Sequence, residues 1–293
     1  MLIGALIFVS VLSAYMILHS QVDGDQVGLL SRGWILVEYN RVVPWGNLTS
    51  AGGYEPGGLT SLVVGLPMLL WQDHRAPAVF IFVCHLLAYI ILDRLIDKSL
   101  GSKARLLFCL VYWLNPWRVF HSCFLWNPNY LFLVGAVHLH CTWRQRHGAS
   151  FTHTFIKVLL VGLAFQLHPS VVILVILSVL LWLKGYWKPH WTGAFLATVL
   201  VIVSLIPWYM TVSQQSELLP GSDGEGFIGR GLIYVQPLAK GMSYFFRYSS
   251  YWFSSKWMNE YDFSPVLGAT ADKNLMYFVK FLIKIIGPLT ILV

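Results

Sequence analysis

Charge is what this chain of 293 residues has least of. Only 11% of it is Asp, Glu, Lys or Arg, against about 25% in an ordinary soluble domain. Hydrophobic side chains make up 57%, and the mean hydropathy is +0.64. Those values exclude a soluble globular domain and point to a polytopic membrane protein. Cysteine is scarce too. Cys84, Cys109, Cys123 and Cys141 lie in or beside apolar runs, with no CxxC and no Cys/His metal spacing, so they read as packing residues. Among the charges that remain, 20 Lys and Arg outnumber 13 Asp and Glu, giving +7. In a membrane protein that excess belongs to basic cytoplasmic loops, and nucleic acid is not an expected partner.

What the chain has in abundance is long apolar runs. Residues 1–18 carry no charge, and the absence of Lys or Arg at their start favours a retained signal anchor over a cleaved signal peptide. Further runs cover about 57–71, 76–92, 104–120, 128–143, 155–183, 191–210 and 275–293. The run at 155–183 is too long for one span, and His168-Pro169 divides it into two shorter helices meeting at a polar hairpin. The expected fold is all-α, a single multi-pass transmembrane domain over residues 1–293 with about eight spans.

Loop charge sets the orientation, because Lys and Arg collect on the cytoplasmic side. Three short loops are basic: Arg94, Lys98, Lys103 and Arg105; Arg144, Arg146 and Lys157; Lys184 and Lys188. They share one face only if one earlier run does not cross. The run at 57–71 is short and opens with EPGG, so it is expected to be a re-entrant or juxtamembrane segment. The N-terminus is then cytoplasmic, and the loops at about 19–75 and 211–274 share the extracytoplasmic face. The sequence stops at Val293 inside an apolar run, so a longer native chain is expected.

Both large loops hold residues suited to chemistry. The first carries Asp23 and Asp25 just after the first span, then Arg32, Tyr54 and Glu55. The second is rich in aromatics and cations, including Arg230, Arg247 and Lys256, which suits either an interfacial aromatic belt or ligand binding. Arg118 and His121 lie at a polar corner between spans, with Asn127 close behind, and His168 lies at the helix break. Structural duties compete for several of these. Asp25 is suited to capping the next helix, Asn127 to capping a helix that begins at Pro128, and His168 to satisfying backbone groups freed by the break. His138 and His140, inside a span, read as neutral histidines hydrogen-bonded between helices. Asp73, His74 and Arg75 form a short polar connection, a secondary candidate for metal or phosphate.

Taken in order, these pieces resemble the lipid-carrier-dependent glycosyltransferases of the C-type (GT-C) fold, in particular protein O-mannosyltransferases and bacterial aminoarabinose transferases. The matching parts are the signal anchor; Asp23-Gly24-Asp25-Gln26 with Arg32; Tyr54-Glu55-Pro56-Gly57-Gly58; the basic turn in DRLIDKSLGSKARLLFCLVYWLNP; the polar corner in RVFHSCFLWNPNYLFL; and the paired short helices in LAFQLHPSVVILV. The family's acidic pair is contiguous, whereas Gly24 separates the two aspartates here; aligning on Arg32 makes Asp25 the general base and Asp23 the reserve. The resemblance implies transfer of a sugar from a polyprenyl-phosphate donor to an extracytoplasmic lipid, glycan or protein acceptor, in a bacterial inner membrane, with inversion at the anomeric carbon. Beside it, Arg32, Tyr54, Glu55, Arg118, His121, Asn127, His168, Arg230, Arg247 and Lys256 stand as candidate substrate-binding residues, the cations among them suited to the departing phosphate. A divalent metal serves some members of the family and not others, and the spacing here supplies no compact ligand set, so no metal site is expected. Two other readings stand beside this one: a transporter or flippase for a lipid-linked sugar or small molecule, with Asp25 as coupling residue, and a non-catalytic subunit of an envelope assembly complex.

Overall fold

A computed structural model of the chain describes residues 2–20, 22, 24–49 and 53–215, together with 268, 270, 273, 274 and 277. The chain forms two compact units. The first holds helix α1 (Leu2–Leu18) and the chain from Cys109 to Phe124, including α5 (Pro116–His121). In it, α1 packs against α5. The start of α5 follows from its sequence: Pro116 sits at the first helical position, and the Asn115 side chain accepts from the backbone N–H of Arg118 at 3.0 Å.

The second unit contains most of the described chain: α2 (Asp25–Tyr39), β1 (Trp45–Leu48), β2 (Tyr54–Pro56), α3 (Leu59–Leu70), most of α4 (Ala76–Leu114), α6 (Leu131–Arg144), α7 (Phe151–Ala164), α8 (Val172–Leu183) and α9 (Trp191–Val212). The architecture is mostly helical, with one exception to the all-α expectation. β1 and β2 pair antiparallel in the first large loop. Strands of 4 and 3 residues are too short to leave an alternating pattern in a sequence.

α2 ends at Asn40 in the left-handed conformation, φ 50°, which asparagine tolerates better than most residues. It packs along α3 through small residues. A methyl on Gly33 would lie 2.7 Å from Val64 Cγ1, and one on Gly65 would lie 2.7 Å from Leu36 Cδ2. Without side chains at these two positions the helices can approach closely. Ser61 adds a polar stitch, donating to the Arg32 carbonyl at 2.9 Å and accepting from the Val43 N–H at 3.3 Å. At 12 residues α3 is about 18 Å long, well short of the roughly 30 Å hydrocarbon core.

Among the described residues two helices are long and apolar enough to cross a membrane, Ala76–Trp113 and Trp191–Val212. The first is folded rather than straight. Gly101 adopts φ 83°, ψ 176°, which no helix contains. On a continuous helix Asp93 and Arg105 would stand about 18 Å apart, yet they form an ion pair at 2.8 Å, and the rings of Tyr89 and Phe108 stack with centroids 5.9 Å apart. The chain therefore doubles back at Gly101, and the arm over residues 76–100 alone exceeds the ~20 residues a crossing needs. The run 155–183 is divided into α7 and α8 by the segment containing His168-Pro169. α8 buries none of its residues, and α9 buries only Gly193, Ala197 and Val212.

Two loop and span residues gain definite roles. Lys157, counted above among loop charges, is 2% exposed inside α7, where Nζ donates to Thr142 Oγ1 at 2.9 Å and lies 3.6 Å from the Trp187 ring. A cation–π contact and a hydrogen bond replace water there, so that loop's solvent-facing charge rests on Arg144 and Arg146. His138 on α6 meets Ser178 on α8 at 2.7 Å; the Ser178 hydroxyl proton goes to the Leu174 carbonyl, so His138 Nε2 is the donor.

Candidate active site

The short β hairpin positions the site. Alternation along β2 turns Glu55 inward, 6% exposed, while Tyr54 and Pro56 on either side are half-buried. Gly46 on β1 lies against it. A methyl there would meet Glu55 Cβ at 2.9 Å, Glu55 Oε2 at 3.1 Å and Thr60 Oγ1 at 3.1 Å. The absent side chain is what lets the carboxylate fold back onto the hairpin. Gly46→Ala is therefore expected to destabilise the protein by about 1–3 kcal/mol through overpacking. Thermal unfolding in detergent reads this directly, and an unchanged midpoint would contradict the close packing.

Glu55 Oε2 accepts from the Asn127 side-chain amide at 3.1 Å and from the Asn47 backbone N–H at 3.4 Å. Asn127 Nδ2 also donates to Thr60 Oγ1 at 3.0 Å. Both of its N–H groups are thus used, and Asn127 Oδ1 is left buried with no partner. Burial pushes the Glu55 carboxyl up to about 7, Asp25 adds to the rise, and Asn127, Asn47 and Arg32 act in the other direction.

Arg32 projects from the middle of α2 and is 8% exposed. Its Nη1 donates to the Gly28 carbonyl one turn back, and its guanidinium lies 5.3 Å from the Tyr54 ring centroid. Burial disfavours its charge, while Tyr54 and Glu55 favour it. Its Nε is buried with no partner. Asp25 is the first residue of α2 and is solvent-exposed. Gly24 occupies the cap position and no side chain caps the helix, so Asp25 serves as a first-turn acid, where the helix dipole favours a negative charge.

Arg32, Tyr54 and Asn127, from three separate parts of the chain, thus gather around one buried carboxylate, that of Glu55, with Asp25 close enough to act on its charge. The capping role considered for Asn127 is not the one it has. Trp126 holds the cap position of the 3-10 turn Asn127–Tyr130 without a side-chain bond, because the Asn127 amide is drawn to Glu55 and Thr60. His168 does cap: Nδ1 accepts from the Ser170 N–H at 3.2 Å and lies 2.8 Å from Ser170 Oγ. Its ring centroid is 6.4 Å from that of Trp126. Burial lowers its affinity for a proton, and a neutral imidazole with one nitrogen engaged is a poor phosphate ligand.

Arg118 and His121 belong to the first unit. Arg118 is 2% exposed, with its guanidinium 5.0 Å from the Tyr112 ring and 4.6 Å from the Trp113 ring; His121 is fully buried, edge-on to Phe120. Asp23, Arg230, Arg247 and Lys256 lie outside the described residues. Asp73 is already engaged by Arg75, through Nε at 2.7 Å and Nη2 at 2.5 Å, and those bonds lower its pKa to about 2. Among the described residues no group of three or more His, Cys, Asp or Glu is placed to hold a metal ion.

Sequence reasoning missed Thr60, Gly46 and Gln166. Gln166 donates to Ser204 Oγ on α9 at 2.7 Å and lies where a side chain on Gly57 would have to go. Gly57, at φ 89°, thereby seats the turn that follows Glu55 against Gln166. A lone glutamine in an apolar run and a Pro-Gly-Gly turn were the available signals. Compared with family models, with curated proteins and with solved structures, the chain gives no match.

Proposed function

We propose that this protein is an integral-membrane glycosyltransferase of GT-C-like, multi-pass architecture that moves a sugar from a polyprenyl-phosphate carrier to an extracytoplasmic lipid, glycan or protein acceptor. The observation that carries the reading is the gathering of Asp25, Arg32, Tyr54, Glu55 and Asn127 in one unit whose helices α8 and α9 are apolar and largely exposed. A transfer reaction at a lipid surface needs a base open to the acceptor and a pocket that holds the donor. Asp25 is exposed and suited to the first task, and the buried cluster to the second.

In this mechanism the acceptor hydroxyl attacks the anomeric carbon from the face opposite the carrier. The bond from that carbon to the phosphate oxygen breaks, and its electron pair leaves with the phosphate. The hydroxyl proton passes to the Asp25 carboxylate, a step worth about 10²–10⁴-fold in rate when the base is well positioned. The departing phosphate gains charge, and cations stabilise it. No step runs through a metal ion.

The reading is tested by supplying the reconstituted protein with a polyprenyl-phosphate donor labelled in the sugar. Label appearing in a membrane lipid, glycan or protein supports it. Labelled donor crossing intact to the other leaflet, with none transferred, makes the protein a flippase.

A further inference from the structure

Between Asp73 and Glu217 the chain holds only two acids, Asp93 and Asp97, while all three of its basic turns fall in that stretch. Arg105 takes up both acids, with Nη2 at 2.8 Å from Asp93 and Nη1 at 3.9 Å from Asp97. Lys98, Arg144, Lys184 and Lys188 are exposed, and among the described residues none of them makes an ion pair.

The fold puts these cations at one end of the second unit. The chain from Tyr130 through α6 runs beside α4 in the same direction. Phe80 meets Tyr130 with ring centroids 6.0 Å apart, and further along both segments His85 meets Phe132 at 4.2 Å. From His85 to Lys98 and from Phe132 to Arg144 is about 18–20 Å of helix each, so both cations arrive at the same level. Half-buried His140 lies one turn before Arg144 on the same face of α6, and its ring centroid is 6.2 Å from that of His153 in the first turn of α7. Lys98 and Arg144 both stand close enough to act on the charge of His140. The turn carrying Lys184 and Lys188 is tied to the same end. Gln145 Nε2 donates to the Lys188 carbonyl at 3.4 Å, Trp187 Nε1 donates to Gln145 Oε1 at 3.0 Å, and the His190 N–H donates to Thr154 Oγ1 at 3.0 Å. Like charges gathered in this way repel one another, and an anion from outside the chain relieves the repulsion.

The surroundings identify the source of that anion. Tyr186 and Trp191 are well exposed at this end, and Trp182 stands edge-on to Trp191 with ring centroids 5.7 Å apart. Exposed tryptophan and tyrosine among lysines and arginines are the make-up of a helix end at the head-group level of a bilayer. α8, which leads into this turn, buries none of its residues.

We propose that Lys98, His140, Arg144 and His153 form a site for the phosphate of an anionic phospholipid, in the leaflet that these turns face, with Lys184 and Lys188 adding to the attraction. The phosphodiester oxygens accept from the ammonium and guanidinium groups and from an imidazole N–H. The site lies at the opposite end of α6 from Asn127 and does not depend on the transferase reading.

The full chain in detergent is titrated with short-chain phosphatidylglycerol, with phosphatidylcholine of the same chain length and with water-soluble glycerol phosphate, and bound molecules are counted by native mass spectrometry. Phosphatidylglycerol is expected to bind about tenfold or more tightly than phosphatidylcholine, and less tightly as salt is raised. Lys98→Gln and Arg144→Gln are each expected to weaken it about fivefold and the double variant about 25-fold, the effect of one and of two surface cations on an anionic lipid. Both side chains are exposed, so the variants are expected to fold as the parent does. Arg41→Gln removes an equal, exposed charge that leads into the β1–β2 hairpin, and is expected to leave lipid binding unchanged. A loss as large with Arg41→Gln overturns the site and leaves net charge as the cause. Equal binding of the two lipids overturns it as well. Glycerol phosphate bound as tightly as phosphatidylglycerol overturns the lipid as the source and makes this a site for a free phosphate ester.

Discussion

Asp25→Asn is expected to lower sugar transfer by about 10²-fold or more at matched expression, with little change in folding. The first half follows from removing a general base, typically worth about 10²–10⁴-fold. The second follows from exposure: Asp25 is solvent-facing, makes no capping bond, and gives up only its favourable place at the helix N-terminus, a change of about 0.3–1 kcal/mol. Asp23→Asn in parallel distinguishes the two aspartates, and transfer lost with Asp23→Asn alone would move the base to Asp23. Equal activity in both variants would leave neither aspartate as the base.

The second large effect is on stability and belongs to Glu55. Its carboxyl titrates at about 7 in the folded protein against an ordinary value of 4.5, chiefly because burial disfavours the charge. A raised carboxyl binds its proton more tightly folded than unfolded, so it favours folding fully below pH 4.5 and loses that contribution as pH rises to about 7. The loss amounts to about 3 kcal/mol across that window. Glu55→Gln removes the ionisation while its side-chain oxygen still accepts from Asn127. The variant is therefore expected to match the parent near pH 4 and to exceed its stability near pH 8, with a flatter profile between. Melting curves of both proteins from pH 4 to 8 decide the point. A parent that grows more stable over that range would mean that Glu55 is held ionised.

Much of the helical framework is legible in the sequence, because it depends on long-lived patterns. Uncharged runs mark helices, and His168-Pro169 marks the division between α7 and α8, since proline cannot continue the hydrogen-bond ladder. The acidic and basic residues of the first loop were likewise visible as candidates. Their meeting was not. Glu55 and Asn127 are 72 residues apart, and nothing local to either announces the hydrogen bond between them. At Asn127 the local signal misdirects: an asparagine before a proline has the form of a helix cap, and a tertiary partner outweighs that preference. Arg118, a ligand candidate by its charge, lies against the rings of Tyr112 and Trp113 in the first unit, a setting its local sequence does not announce. The β1–β2 hairpin was illegible for want of length, and Gly46, which brings the hairpin against Glu55, carries no side chain by which to be noticed.

The central claim is that the bond between sugar and carrier is broken on this protein. It is tested most directly with a donor labelled differently in the sugar and in the polyprenyl phosphate, presented to the reconstituted chain from the extracytoplasmic side. Transfer predicts one free polyprenyl phosphate for each sugar joined to an acceptor, with both products diminished together in Asp25→Asn. Sugar and carrier labels that stay joined while the donor changes leaflets would contradict it.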